Sequence, residues 1–203
     1  MSNHKKTHFG IKTVVLGNYA TGKTTLVGRL TTGKIKPFTE STIGCAFSSL
    51  SRTSSNGNPI QYQIWDTAGQ EKYRALTELY YRNADIILIC FDVADKKSFE
   101  TINVWIDLIN DGCSKNHLVF LIANKDDLEW QVDKNSVEKL AEDNNMKLLI
   151  TSSLKNYGIT ELLDTIMNMS EIRWRDDIKN FLEGNDKTII RSTSDTPRKN
   201  CCF

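Results

Sequence analysis

A chain of 203 residues with 26 Lys and Arg against 25 Asp and Glu carries a formal net charge of +1, which excludes nucleic-acid binding by bulk charge. Its 39% hydrophobic and 25% charged residues suit one domain with a single core and exclude a disordered chain. The longest apolar runs, 86–91 and 118–123, fall far short of the roughly 18–20 residues of a membrane helix, and the N-terminal MSNHKKTHFG reads as no signal peptide.

In chain order, residues 1–8 read as a flexible lead-in and Ile11–Leu16 as a short strand. Leu26, Val27 and Leu30 then mark one face of a helix. Cys45–Arg52 and Ile60–Asp66 flank Asn56-Gly57-Asn58-Pro59, a turn signal, and predict an antiparallel hairpin. Glu71–Arg82 is predicted helical. Ile86–Phe91 and Leu118–Ala123 are continuous apolar runs, as in strands buried on both faces. Between them Phe99, Ile102, Trp105 or Ile106, and Ile109 recur at helical spacing, with Trp105 expected in the core. Asn135–Asp143 reads as helix, Lys147–Thr151 as strand, and Ile159, Leu162, Leu163 and Ile166 open a last helix. From about residue 184 the pattern dissolves into a polar tail.

Strands alternating with helices imply an α/β fold, a mostly parallel six-stranded sheet with one antiparallel strand and helices on both faces, over residues 9–183. Ligands of such sheets bind beyond the carboxyl ends of the strands. That rule directs attention to the segments after residues 16, 66, 123 and 151. Of the five cysteines, Cys90 lies in an apolar run and no Cys/His cluster suggests a metal site, which fits a reducing compartment.

The first strand leads into Gly17-Asn18-Tyr19-Ala20-Thr21-Gly22-Lys23-Thr24, the GxxxxGK[ST] pattern between strand and helix. Main-chain N–H groups at such a helix start face phosphates. Lys23 can bridge the β- and γ-phosphates and the Thr24 hydroxyl can ligate Mg²⁺. The third strand ends at Asp66-Thr67-Ala68-Gly69-Gln70. Asp66 can hold Mg²⁺ through water, Gly69 can bring its N–H to a γ-phosphate, and Gln70 can orient an attacking water because its amide donates and accepts. The fifth strand ends at Asn124-Lys125-Asp126-Asp127. A carboxylate at Asp127 can accept the ring N–H and 2-amino group of guanine. Adenine lacks that amino group and would present an acceptor, and such mismatches cost factors of about 10⁴–10⁵.

These three motifs, in this order, resemble the Ras superfamily of small GTPases, over about residues 9–183. Ser41-Thr42-Ile43-Gly44, the IWDTAGQE of Ile64–Glu71, Lys72-Tyr73-Arg74 and Tyr80-Tyr81-Arg82-Asn83-Ala84 sharpen the resemblance toward the Rab branch. The resemblance implies a P-loop G domain that binds GTP or GDP with Mg²⁺ and hydrolyses GTP slowly, with Gln70 and Lys23 catalytic. It implies nucleotide contacts from Gly17, Tyr19, Ala20, Thr21, Gly22, Lys23, Thr24, Thr25, Ile35, Thr42, Gly69, Asn124, Lys125, Asp127, Ser152, Ser153 and Leu154. It places Thr42 in switch I, eighteen residues beyond Thr24, as a second hydroxyl on Mg²⁺, and puts Ser152 and Ser153 in the loop whose main chain contacts the guanine oxygen.

Four positions depart from the family pattern. Tyr19 stands where the family has a small residue beside the γ-phosphate, and Ala20 replaces a common Gly. Ile35 stands where a Phe stacks on guanine, with Phe38 three residues away, and Leu154 replaces a lysine that covers the base. Guanine choice is expected to survive, with altered affinity and hydrolysis rate. Phe47, Trp65 and Tyr80 would lie near the switches, where Rabs carry an effector patch or where they serve as core. Asn200 occupies the position a CaaX box gives to Cys. The terminal Cys201 and Cys202 resemble instead a doubly geranylgeranylated end, and two chains anchor stably where one does not.

The implied protein is a monomeric trafficking switch on the cytoplasmic face of an intracellular membrane, with a cytosolic pool. Its partners would be effectors, an exchange factor, a GTPase-activating protein, prenylation machinery and a GDP-dissociation inhibitor, with no nucleic acid. A GTP-binding interaction module with little hydrolysis is the alternative. A P-loop metabolic kinase is disfavoured by Asn124-Lys125-Asp126-Asp127.

Overall fold

The computed structural model describes residues 9–35, 41–54, 57, 59–69, 74–112 and 117–182. Its strands are β1 (Phe9–Leu16), β2 (Cys45–Thr53), β3 (Pro59–Thr67), β4 (Ile86–Asp92), β5 (Leu118–Asn124) and β6 (Lys147–Ile150). Its helices are α1 (Lys23–Thr32), α2 (Arg74–Tyr81), α3 (Lys96–Glu100), α4 (Ile102–Gly112), α5 (Lys134–Asp143) and α6 (Ile159–Leu182). One six-stranded sheet runs in the order β2-β3-β1-β4-β5-β6. Only β2 and β3 pair antiparallel; the other neighbours are parallel.

Side chains on successive strand residues point to opposite faces, and each face has its own core. On one, Val14, Leu16, Ile87, Ile89 and Phe91 pack with Ile102, Trp105 and Ile109 of α4 and Val137 of α5. On the other, Val15, Leu88, Phe120 and Ile122 pack with Leu26, Val27 and Leu30 of α1 and Ile159, Leu162 and Ile166 of α6. Each such side chain taken from water contributes about 1.5–3 kcal/mol. β4 is buried along its whole length, as its unbroken apolar run requires.

The helical spacing through Phe99 and Ile109 resolves into two helices that meet at Thr101. Asp95 caps the first, its carboxylate accepting from the Lys97 N–H at 3.0 Å. The apolar period continues across the break, so spacing alone did not reveal it. Trp105 is buried as expected. α2 begins at Arg74, and the predicted first turn, 71–73, lies outside the described residues, as do 1–8, residues 56 and 58 of the turn, and 183–203. No described helix is long and apolar enough to cross a membrane.

Candidate functional site

The carboxyl ends of β1, β3, β4, β5 and β6 bring the three motifs to one end of the sheet. β1 runs into the Gly17–Thr24 loop, which ends at the first turn of α1. The N-cap, Gly22, has φ 89° and no capping side chain, and the first N–H groups of a helix face the loop that precedes it. A Cβ on Gly22 would stand 2.4 Å from Asn124 Nδ2. Ala20 has φ 61°, a left-handed conformation that costs an L-residue about 1–2 kcal/mol. This accounts for the Gly common at that position.

Lys23 is buried, and its ammonium donates to the Asn18 carbonyl at 2.6 Å. Burial lowers its pKa, with Cys90 and Asp66 drawing it partly back. Beside it Thr24 and Thr42 hold their hydroxyl oxygens 2.9 Å apart. Asp66 is 2% exposed, and its Oδ1 has no hydrogen-bond partner. Burial raises its pKa, while the Thr24 hydroxyl and the Lys23 charge pull it down. An orphaned, buried carboxylate oxygen is costly unless a cation or donor meets it. Two hydroxyls and one carboxylate are hard oxygen donors, the set that suits Mg²⁺ when phosphates and waters complete the shell. No cluster of three or more His, Cys, Asp or Glu that could hold an ion by itself occurs among the described residues.

Gly69 closes over this centre: a Cβ there would stand 2.4 Å from the Asn18 carbonyl and 2.5 Å from Lys23 Nζ. Tyr19 is 56% exposed, and its hydroxyl accepts from Ser41 Oγ at 3.4 Å, so the ring leans toward the residue before Thr42. Gln70 lies outside the described residues, as does Phe38.

On the other side, Asn124 acts as a brace. Its amide donates to the Thr21 carbonyl at 2.9 Å, and its Oδ1 accepts from Thr151 Oγ1, Ser153 Oγ and Ser153 N at 3.1, 3.0 and 3.3 Å. One side chain thus joins the phosphate-type loop to the segment after β6. Asp127 accepts from Ser152 Oγ. Lys125, in left-handed conformation with φ 66°, pairs with Asp92 at 2.6 Å. Ile35 is half-buried and Leu154 exposed.

Sequence reasoning missed Asn18, Asp92 and Arg29. Asn18 also meets the Trp105 indole, whose Nε1 donates to Asn18 Oδ1 at 3.4 Å. The strand-end rule could have found Asp92, which closes β4. Nothing in the sequence pointed to Arg29.

A profile of the Ras family matches residues 12–172, most of the chain. The chain belongs to the Ras family of small GTPases. Among curated proteins it is 31% identical over 201 residues to a "Probable Rab-related GTPase" of Acanthamoeba polyphaga mimivirus, covering 96% of this chain and 94% of that one. It is 32% identical over 199 residues to "Ras-related protein rab-11.1" of Caenorhabditis elegans, covering 95% and 94%. A Dictyostelium discoideum chain described as ras-related protein Rab-5B is 40% identical over 167 residues, covering 81% of this chain and 77% of that one. The chain is therefore Rab-related by homology. Ras-family GTPases bind guanine nucleotide with Mg²⁺, and homology implies GTP hydrolysis.

Proposed function

We propose that this Ras-family chain is a Rab-type switch in vesicle traffic, binding GTP or GDP with Mg²⁺, hydrolysing GTP slowly and recruiting effectors in the GTP state. The observation that carries the reading is the meeting of Thr24 and Thr42, at 2.9 Å, beside the orphaned Oδ1 of Asp66. Thr24, Thr42 and Asp66 (through water) would hold Mg²⁺, which when bound neutralises charge on the β- and γ-phosphate oxygens. Thr42 and Gly69 hold their two loops through a γ-phosphate, so loss of that group releases both.

Lys23 supplies positive charge to the phosphates, and the main chain from Gly17 to Thr25 cradles them. Gln70 places the attacking water. Asp127 reads the ring N–H and 2-amino group of guanine, Asn124 braces the site, and Ser152–Leu154 closes on the base. No arginine finger in this chain is evident from the sequence, so turnover needs an activating protein. Phe47, Trp65 and Tyr80 form a continuous aromatic row, with ring centroids 5.2 and 5.6 Å apart. Phe47 is 55% exposed, which supports an effector surface beside the switches. Exchange factor and GTPase-activating protein would share it. Cys201 and Cys202 would carry two prenyl chains, added by prenylation machinery and shielded by a GDP-dissociation inhibitor, with the protein on the cytoplasmic face of an intracellular membrane.

Tyr19 favours a second reading, an interaction module that holds GTP with little hydrolysis, because its ring leans from the phosphate loop toward switch I. A binding panel of GTP, GDP and ATP, followed by single-turnover phosphate release with and without a Rab-activating protein, separates the readings. Preference for ATP would overturn both. Tight GTP binding with no stimulated release would favour the module.

A further inference from the structure

Arg29 stands in the last turn of α1, outside every motif read from the sequence. Its guanidinium spreads over three carbonyls. Nε donates to Ser153 O at 2.8 Å, Nη2 to Leu154 O at 3.0 Å and Nη1 to Gly33 O at 2.8 Å. The Gly33 N–H in turn donates to the main-chain oxygen of Arg29 at 3.0 Å. One side chain therefore closes the end of α1 and ties it to the loop after β6.

The acceptors belong to the two segments that would flank the base, the run from Gly33 toward Ile35 and the run from Ser152 to Leu154. Neither brings the aromatic or lysine cover that the family resemblance implies at Ile35 and Leu154. Leu154 is 57% exposed, and its side chain does not anchor the loop. The loop is held from beneath instead, by Arg29 on the carbonyls of 153 and 154 and by Asn124 on Ser153. A planar fork with five N–H donors suits three carbonyls at fixed angles, which a single ammonium cannot span. A cation at a helix C-terminus is also favourably placed.

We infer that Arg29 is a positioning residue for guanine recognition, fixing the Ser152–Leu154 main chain where it meets the 6-oxygen of the base. The inference rests on the guanine-nucleotide reading above. If Arg29 only steadied α1, its loss would loosen the phosphate-type loop at the other end of the helix and weaken every nucleotide alike. If it positions the base loop, its loss falls on ligands that present a good acceptor at position 6.

The test measures release of isotope-labelled diphosphates from the full chain in excess unlabelled nucleotide, for wild type, Arg29→Ala and Arg29→Lys. GDP and inosine diphosphate both carry the 6-oxygen; 6-thio-GDP keeps the ring N–H and 2-amino group but offers a weakly accepting sulfur. Arg29→Ala is expected to release GDP and inosine diphosphate about tenfold faster, equivalent to about 1.4 kcal/mol, and 6-thio-GDP less than about twofold faster. Arg29→Lys should show the same ranking at smaller size, and it serves alone if Arg29→Ala does not fold. Equal acceleration of all three ligands, or of none, overturns the positioning role while leaving guanine binding intact. Failure of the wild type to retain GDP overturns the underlying reading, and the inference with it.

Discussion

Gly69 lies so close to Lys23 that a β-carbon on it would stand 2.5 Å from the lysine ammonium. The same β-carbon would press on the Asn18 carbonyl, which already accepts from Lys23. Either the lysine or the start of the loop after β3 must then move. Near-attack geometry loses about 10²-fold per ångström of misplacement. Gly69→Ala is expected to cut GTP hydrolysis by about that factor while changing GDP affinity less than about threefold. Single-turnover phosphate release and GDP titration check both halves. A wild-type rate would show that the loop moves aside without consequence.

Thr24→Asn replaces a hydroxyl that lies 2.9 Å from Thr42 with a longer amide. The expected result is a Kd for GTP raised at least tenfold in Mg²⁺, about 1.4 kcal/mol. The effect on GDP should be smaller, and the difference should vanish when Mg²⁺ is chelated. Titration with and without chelator reads this directly; equal losses in both would remove Thr24 from the metal shell.

The ring of Tyr19 projects from the phosphate-type loop, with its hydroxyl 3.4 Å from Ser41 Oγ. A long, exposed hydrogen bond contributes little, so the bulk of the ring matters more than its hydroxyl. Tyr19→Ser is expected to raise hydrolysis stimulated by an activating protein about tenfold, and Tyr19→Phe to leave it unchanged. No gain in Tyr19→Ser would mean that the ring stands clear of the incoming protein.

Base stacking on an aromatic face contributes about 1–3 kcal/mol. Ile35 is half-buried and offers only dispersion contact. Ile35→Phe is expected to slow spontaneous GDP release up to about tenfold, with ATP still rejected. Loss of a fluorescent GDP analogue into excess unlabelled nucleotide measures it. An unchanged rate would show that another residue covers the base.

Cys90 is buried in β4, its thiol pushed up to about 11 by burial. In the unfolded chain the thiol keeps its ordinary value of 9.0. Between these values the unfolded chain loses the proton first, so it binds fewer protons than the fold, and stability falls as pH rises. Cys90 should contribute up to about 1.4 kcal/mol per pH unit to that fall, with no contribution at lower pH. Denaturant unfolding across the alkaline range should show Cys90→Ala with a shallower slope than wild type. Identical slopes would mean that the thiol is not the group titrating.

β4 and β5 were legible as continuous apolar runs and β2 and β3 through the turn signal between them, and the sheet direction followed from the alternation of strands with helices. The P-loop and Asn124–Asp127 were legible because their chemistry lies in residues adjacent in the chain. What escaped the sequence depends on contacts between distant segments. The ion pair of Lys125 with Asp92 joins two strand ends, and the fork of Arg29 reaches residues that only the packing of β6 beside β5 brings near. The meeting of Thr24 with Thr42 was foreseeable only through family resemblance, since no periodicity relates the two. The helix break at Thr101 was hidden because both short helices bury the same apolar stripe.

The central place of β1 in the sheet has a thermodynamic consequence. Val15 pairs with Asp66 on one side and with Leu88 on the other. The loop that leaves β1 therefore takes its shape only after segments far along the chain have joined it. The unfolded chain offers no partial version of the cradle, so a nucleotide binds the native state alone. Mass action then adds RT ln(1 + [L]/Kd) to stability, about 4.1 kcal/mol at a thousandfold excess of ligand over Kd. For this molecule a melting temperature is also a gauge of occupancy, and it should climb logarithmically as nucleotide is added long after every site is filled.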